Sequence, residues 1–406
     1  MQDASLSRRH DLDWVRILAF GLLILYHVGM YYVSWDWHVK SPFASHAIEP
    51  LMLASSPWRL SLLFFVAGCA TAFLLRKQGQ GPTQGFVASR ARRLLIPLLF
   101  GMLVLVTPQA YFEVVEKLHY ADGYAAFWRR YLAFDSQFCR GGNCLRVPTW
   151  NHLWFVAYLF VYSVLLWALL RFVPRAMAGL SGRLGRLAMW RGGWGLLIAP
   201  VLLLALWRIT LVARFPSTHA LVGDWYNHAL YFSVFLLGYA VAHQAAVWDA
   251  LQRLRWPALG LALASYAFIA WYFTGYAATN GEVPEALRQL QRVIYAGNQW
   301  VTIAAVLGFA RQWSPGDSAA RRYFTEAVFP FYIVHQTAIV VIAHQLKPVG
   351  LAPALEGPLL VLATLAVCVA SFEIVRRLRW LRPLFGLGPL PRRQEGRLQP
   401  ASIASP

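Results

Sequence analysis

Charged residues are scarce in this sequence. They make up 14% of its 406 residues, whereas soluble domains carry about 25%. Hydrophobic residues make up 58%, and the shortage of charge extends along the whole chain, which indicates that lipid surrounds most of it. Acidic residues are especially few, 18 against 37 Lys and Arg, so the net charge is +19. Because the positive residues cluster between apolar runs, they indicate membrane topology rather than nucleic-acid binding.

The short motifs of several common enzyme classes are also missing. The sequence contains no Walker loop, dinucleotide fingerprint, nucleophile elbow or HExxH motif. These absences exclude ATP-driven pumps and the common soluble-type enzyme chemistries. We expect no metal site and no permanently bound cofactor.

Cysteines number only four. Cys69 and Cys368 lie in apolar runs and are expected to be small core residues. Cys139 and Cys144 bound the segment CRGGNC in the longest loop, where the glycines would allow a tight closure. In an oxidising compartment this pair can form a disulfide; two free thiols are the alternative, and the spacing does not match a metal site.

Ten segments are long and apolar enough to span a membrane, which requires about 20 residues each. They are residues 14–33, 57–76, 94–112, 152–172, 194–212, 226–245, 257–276, 293–310, 327–346 and 357–376. The third, with Pro97 and Pro108, and the eighth, with Asn298 and Gln299, are the weakest. The first is too long for a signal peptide and lacks a cleavage site, so we expect a retained helix. The sequence predicts an all-α integral membrane protein with a bundle of about ten transmembrane helices.

The distribution of Lys and Arg predicts the orientation. One set of alternate connections carries 24 of these residues and the other set 11. Both termini are therefore expected in the cytoplasm, and the loop 113–151 outside. Residues 1–382 are predicted to form one membrane domain without a visible internal repeat. The Pro-, Gly- and Arg-rich residues 383–406 are predicted to be a disordered cytoplasmic tail.

Ionisable residues inside apolar segments are candidates for function. Arg16 and His27 lie eleven residues apart in the first segment, which places them on one helix face about 16 Å apart. His335 lies near the middle of the ninth segment and Glu373 near the inner end of the tenth. The structural alternatives are a snorkelling arginine, hydrogen-bonded core histidines and a glutamate that neutralises an arginine. For Arg16 and His27 together, the shared face favours a functional pair.

A basic group precedes the third segment. This arginine cluster (Arg90, Arg92 and Arg93) either marks topology or binds a cytoplasmic phosphate-bearing ligand, since guanidinium groups bind phosphate in a bidentate manner. Arg59 and Arg208 lie near the outer ends of their segments and are expected to snorkel to the surface.

Aromatic and polar residues meet at the predicted outer surface. His152 and Trp154 open the fourth segment, and Trp37 and His38 follow the first. Tryptophans at this depth usually anchor a protein in the interface. Together with neighbouring polar groups they also suit a carbohydrate, so these four residues are candidates for substrate binding.

Five of these patterns, in this order, resemble the membrane acyltransferase family 3. The matches are Arg16 and His27 for an Arg-x10-His pattern in the first helix, Phe64, Phe65 and Gly68 for an FFxxSG-like second helix, Arg90, Arg92, Arg93 and Pro97 for a basic run that leads to a proline, residues 152–155 for an HLWF start, and Tyr332 and His335 for a late YxxH. The matches cover most of the chain. Ala67 stands where the family usually has serine, which puts a role for that hydroxyl in doubt.

Within this family, the first helix and the segment SWDWHVKS look like the branch that modifies osmoregulated periplasmic glucans, the glucan-biosynthesis C-type proteins. The resemblance implies a bacterial inner-membrane enzyme that moves an acyl group, succinyl or acetyl, from cytoplasmic acyl-CoA to a hydroxyl of a periplasmic glycan. The arginine cluster would hold the CoA phosphates and Arg16 would orient the thioester. His27 would act as general base or carry the acyl group transiently, and His335 would help to stabilise the oxyanion.

Two other classes of function stay open at the level of sequence. Buried Arg and His also occur in proton-coupled transporters and flippases, although the missing repeat argues against that class. A membrane scaffold is the third possibility, but it has no evident need for buried charges.

Overall fold

The chain folds as a helical bundle, seen in a computed structural model that describes residues 9–77, 84–279, 281–313 and 316–390. The helices are α1 (His10–Tyr32), α2 (Glu49–Leu53), α3 (Arg59–Lys77), α4 (Gln84–Phe100), α5 (Thr107–Leu118), α6 (Tyr124–Leu132), α7 (Trp154–Phe172), α8 (Pro174–Met189), α9 (Trp194–Leu211), α10 (Trp225–Val241), α11 (Ala245–Arg253), α12 (Arg255–Ala270), α13 (Ala277–Thr279), α14 (Glu285–Trp313), α15 (Ala319–Leu346) and α16 (Pro353–Arg377). Short π-helical or 3₁₀ turns occur at Gly101–Leu105, Asn151–Leu153, Trp190–Gly193, Trp271–Tyr276, Lys347–Val349 and Arg382–Phe385. Two short strands, β1 (Cys139–Arg140) and β2 (Asn143–Cys144), form an antiparallel hairpin.

Nine helices in the described ranges are long and apolar enough to cross a membrane. They are His10–Tyr32, Arg59–Lys77, Gly85–Leu118, Asn151–Phe172, Pro174–Leu211, Arg255–Thr279, Glu285–Trp313, Ala319–Val349 and Pro353–Arg377. A tenth span results if α10 and α11, which are bent by 111° at their junction, are counted as one. Each predicted segment overlaps one of these spans, so the prediction of an all-α membrane bundle is confirmed.

The weak eighth segment is a continuous helix, and one of its two polar residues, Asn298, bonds to a neighbouring helix. Asn298 of α14 is 3% exposed, and its amide donates to the carbonyl of Ala262 at 3.0 Å and to the hydroxyl of Ser265 at 2.9 Å, both in α12. A polar side chain that is satisfied within the bundle does not have to be solvated by lipid.

Helices α1 and α15 lie side by side and run in the same direction. Arg16 donates to the carbonyl of Thr325 at 3.0 Å, across a sequence separation of 309. Eleven residues later, His27 contacts His335 across a separation of 308. A nearly constant separation is the mark of a parallel helix pair, as expected of the first and ninth spans of a ten-span protein.

Charged groups hold the two ends of the described chain together. Buried Arg321, near the start of α15, pairs with Asp13 of α1, and Arg382, which follows α16, pairs with Glu326 at 3.1 Å. We call this side of the bundle the terminal end. The opposite side is called the loop end, and it carries the connections 33–58, 119–150 and 212–224.

The expected disordered tail does not begin at residue 383. Residues 382–385 form a 3₁₀ turn, and the buried ring of Phe385 lies 5.4 Å from the ring of Phe100 in α4. This contact packs the chain against the bundle as far as Phe385. Residues 391–406, the remainder of the predicted tail, lie outside the described ranges.

Two glycines allow α3 and α10 to touch. A Cβ atom on Gly68 would lie 2.1 Å from the carbonyl oxygen of Phe235, and a Cβ atom on Gly238 would lie 2.1 Å from that of Phe65. Small residues permit this close approach of backbones, which is a common means of helix association in membranes. The glycine of the family-like second-helix motif is therefore a packing requirement.

The loop 113–151 is more ordered than its sequence suggests. It contains α6 and the hairpin, and its apolar residues Val114, Phe127, Tyr131, Phe138 and Val147 form a small buried cluster. Cys139 and Cys144 are joined in a disulfide across the hairpin, which is the first of the two states considered for this pair.

Candidate active site

His27 and His335 face each other between α1 and α15. Nδ1 of His27 lies 2.9 Å from Nε2 of His335, and the rings are nearly parallel with their centroids 5.1 Å apart. On the far side, Nδ1 of His335 lies 2.7 Å from the main-chain oxygen of Tyr332. The parallel helices thus bring two predicted site residues into direct contact.

These hydrogen bonds indicate which ring nitrogens carry protons. A carbonyl oxygen can only accept, so Nδ1–H of His335 donates to Tyr332. In a neutral His335, Nε2 must then accept, and Nδ1–H of His27 donates to it. Nε2 of a neutral His27 keeps its lone pair and has no hydrogen-bond partner within the described part of the chain. The pair therefore fixes His27 as a base with a defined proton-accepting atom.

A cavity of about 470 Å³ lies beside His27 at the loop end. Its volume is typical of a ligand pocket. Five of the predicted site residues line it, namely His27, Trp37, His38, His152 and Trp154. The structure thus brings together residues from α1, from the loop after it and from the start of α7.

His152 links the start of α7 to α15 and to α5 within this site through hydrogen bonds at both ring nitrogens. Its Nε2 donates to the main-chain oxygens of Tyr332 and Ile333 at 3.1 and 3.3 Å, and its Nδ1 accepts from the Gln109 amide at 3.4 Å. The Tyr332 hydroxyl in turn donates to the main-chain oxygen of His152. With both ring nitrogens engaged, His152 holds the turn of α15 that orients His335 and is not available as a base.

His38 is held by a carboxylate. Its Nδ1–H donates to Glu113 at 2.5 Å, and its Nε2 accepts from the amide of Gln336 at 3.0 Å. Lys117 pairs with the same carboxylate at 3.0 Å. His38 is thereby fixed at the wall of the cavity, where it can contact a substrate.

Trp154 and Trp37 contribute aromatic surface to the wall. The ring of His219 stacks on Trp154 with centroids 4.3 Å apart. Burial lowers the pKa of His219, Asp224 opposes this shift and the charge of Arg59 adds to it. A neutral ring is therefore expected in the stack at pH 7. Flat aromatic walls with polar neighbours suit a sugar ring.

The arginine cluster divides into two parts. Arg90 points into the bundle, where it donates to Ser163 at 3.1 Å and to Thr71 at 3.3 Å. Arg92 and Arg93 are exposed. The bonds of Arg90 indicate a role in helix packing, which leaves the two exposed arginines as the members able to meet a ligand.

Two other predicted residues lie away from the cavity. Glu373 forms ion pairs with Arg376 at 3.2 Å and Arg377 at 2.9 Å in the last turns of α16, toward the terminal end, so the geometry favours charge neutralisation over substrate binding. Arg16 is half-buried on the same helix as His27, about 16 Å closer to the terminal end.

Sequence reasoning missed three polar residues of the site. Arg59 lines the cavity, Gln336 bonds to His38, and Glu113 orients His38. Gln336 directly follows His335 of the YxxH match, and a polar residue at this place in an apolar segment could have been recognised as a site candidate. Arg59 was assigned to snorkelling because it begins an apolar run, and sequence alone gives no sign that it faces inward.

Comparisons with known proteins relate the whole site region to one family. The family model described as "Acyltransferase domain" matches residues 9–373. The chain is 27% identical over 165 residues to "Glucans biosynthesis protein C" of Escherichia coli O6:K15:H31 (strain 536 / UPEC), and 26% identical over 165 residues to the protein of that name in Escherichia coli (strain K12). These matches span 41% of this chain and 40% of each relative. No solved structure matches the chain significantly.

Proposed function

This chain belongs to the acyltransferase family whose model matches residues 9–373, and from that premise we propose that it is a membrane-bound O-acyltransferase. It would move an acyl group, succinyl or acetyl, from cytoplasmic acyl-CoA to a hydroxyl of a periplasmic glucan or related glycan. The observation that carries this proposal is the free Nε2 of His27, fixed by His335 at the wall of a cavity lined with tryptophans. The name of the two relatives supports a glucan as the acceptor.

Acyl transfer needs one group that accepts a proton from the attacking hydroxyl and then returns it to the leaving sulfur. Nε2 of His27 takes the proton of the sugar hydroxyl as its oxygen attacks the thioester carbonyl. The tetrahedral intermediate then collapses, its carbon–sulfur bond breaks, and the proton passes from His27 to the leaving sulfur. The products are the ester and CoA with a free thiol. His335 orients His27 and shares the positive charge through their hydrogen bond, in place of the oxyanion role predicted for it.

A second route uses the same nitrogen as a nucleophile. His27 would first take the acyl group from CoA and then pass it to the hydroxyl, so that donor and acceptor need never meet. Incubation with labelled acyl-CoA in the absence of acceptor distinguishes the routes. Label bound covalently to the protein and released by added glucan supports the relay, and its absence at normal turnover supports the direct route.

The test of the function itself is ester formation. Purified protein in proteoliposomes would receive labelled acyl-CoA on one face and a neutral β-glucan on the other. Labelled ester on the glucan supports the proposal, and transport of an unmodified solute without ester would contradict it.

Replacing Arg92 and Arg93 together by alanine is expected to weaken acyl-CoA binding by about tenfold or more, because each guanidinium can form charge-assisted bonds to phosphate. Isothermal titration with CoA and several acyl-CoAs measures this. The matched control is the double replacement of Arg175 and Arg183, two exposed arginines of α8. Equal affinity in the wild type and both variants would remove the two arginines from the donor site.

The orientation can be tested with the cysteine pair. We propose that the loop end faces the periplasm and both termini the cytoplasm. Because Cys69 and Cys368 are buried, an impermeant maleimide added to intact cells after mild reduction should label only Cys139 and Cys144. The double serine variant should give no label. Labelling that requires permeabilised cells would reverse the assigned orientation.

A further inference from the structure

Arg59 is a buried cation at the wall of the cavity. It begins α3 at the loop end and is 8% exposed. Its Cζ lies 3.2 Å from the ring centroid of Tyr26, and one terminal nitrogen donates to the hydroxyl of Ser56 at 3.3 Å. The Tyr26 hydroxyl contacts the same serine at 3.1 Å. The guanidinium group is therefore held in place by a ring face and a hydroxyl.

The charge of Arg59 lacks a counter-ion. In the described part of the chain no carboxylate lies within 4.0 Å of it, and its Nε has no hydrogen-bond partner. Asp36, the one acidic residue among those that line the cavity in the described part of the chain, pairs with Lys117 at 2.9 Å. Buried charges are normally paired, because desolvation of an isolated ion is costly. A site with one unpaired guanidinium is therefore built to receive an anion.

The position of Arg59 relative to the base suggests which anion. Tyr26, on which Arg59 stacks, directly precedes His27, and the two rings lie 6.1 Å apart. The reacting carbonyl must lie beside His27, with CoA trailing toward the terminal end. The rest of the acyl group then projects into the cavity, where a carboxylate at its far end would meet Arg59.

We propose that Arg59 binds the free carboxylate of a short dicarboxylic acyl group and so makes the enzyme selective for a charged acyl donor over neutral ones. Guanidinium and carboxylate form charge-assisted, often bidentate hydrogen bonds. This inference rests on the proposed acyl transfer and adds the residue that distinguishes a charged acyl group from a neutral one.

The test compares two donors of nearly equal shape. Succinyl-CoA and its neutral amide analogue, succinamoyl-CoA, would be offered with a neutral β-glucan, and the ratio of their kcat/KM values measured. The wild type should favour the charged donor by on the order of 10- to 100-fold. Arg59→Gln should bring the ratio close to one, whereas Arg59→Lys, which keeps a charge, should keep part of the preference.

The control is Arg208→Gln. Arg208 also stacks on a tyrosine, Tyr295, at 3.7 Å and donates to a hydroxyl, that of Tyr226, at 2.8 Å, but it does not line the cavity. Its ratio should equal that of the wild type. A wild-type ratio near one, or a ratio unchanged in Arg59→Gln, overturns the proposal.

Two further arms separate the remaining outcomes. If Arg59→Gln changes the preference between neutral and phosphorylated glucans but not between donors, the anion belongs to the acceptor and the donor assignment is overturned.

If the wild type forms no ester from either donor, the proposed function fails, and thermal stabilisation by monomethyl succinate then decides the role of Arg59. Stabilisation of the wild type and Arg208→Gln but not of Arg59→Gln supports the anion site, and no stabilisation of the wild type overturns it.

Discussion

Replacing His27 by alanine is expected to lower kcat for acyl transfer by about 10²- to 10⁴-fold, the usual contribution of a positioned general base. The only cavity-facing base that the His27–His335 pair provides is Nε2 of His27, and alanine removes it. The fold should survive, because the helix contact made by Arg16 with Thr325 is left intact. Initial rates with labelled donor, together with gel filtration in detergent, measure both properties.

Two comparisons sharpen this prediction. His46→Ala removes an exposed histidine at the loop end and should have little effect on the rate. His335→Ala should slow the reaction by less than the His27 replacement does, and the double variant should be no slower than His27→Ala, since residues that act as a unit are not additive. Glycan acylation at the wild-type rate by the His27→Ala variant would contradict a catalytic role for His27.

Replacing Gly68 by alanine is expected to destabilise the protein by about 1–3 kcal/mol or more. The new Cβ would lie 2.1 Å from the carbonyl oxygen of Phe235, and this neighbour is backbone, which cannot turn aside as a flexible side chain would. Helices α3 and α10 would have to separate. Gly238→Ala should have a similar effect, because its Cβ would meet the carbonyl of Phe65 at the same distance. Thermal or denaturant unfolding in detergent measures the loss.

The control for this prediction is Gly260→Ala in α12. Nothing lies within 4 Å of a Cβ atom at that position. Alanine is the better helix former by about 1 kcal/mol, so this variant should be neutral or slightly more stable. If Gly68→Ala were as stable as Gly260→Ala, the close contact of α3 and α10 would not exist in the membrane.

Much of the fold could be predicted because hydropathy records contact with lipid directly. The ten apolar segments follow from patterns within single segments, and the family follows from five short motifs in a fixed order along the chain. The bend of 111° between α10 and α11 was missed. In α11, Trp248 is buried while Asp249 is exposed, so this helix has an apolar face and a polar face. Its apolar residues extend the apolar run of α10 in the sequence, although the helix axis turns away from that of α10.

The site was less predictable because it depends on which face each residue presents. His27 and His335 were recognised as candidates, but their direct hydrogen bond depends on the alignment of two helices that are distant in sequence. Arg90 and Arg59 were each assigned by position along a segment. The structure turns Arg90 toward Ser163 and Arg59 toward the cavity, and sequence spacing does not specify either direction.

The hydrogen-bonded chain from His27 through His335 ends at the main-chain oxygen of Tyr332. An amide oxygen holds a hydrogen bond but does not pass a proton onward. A proton accepted by His27 can therefore move to His335 and return, and the described residues provide it with no hydrogen-bonded path along α15 toward the terminal end. The histidine pair therefore stores one proton rather than passing it along α15: the proton taken from the acceptor hydroxyl would stay beside the reacting atoms until the departing CoA sulfur takes it.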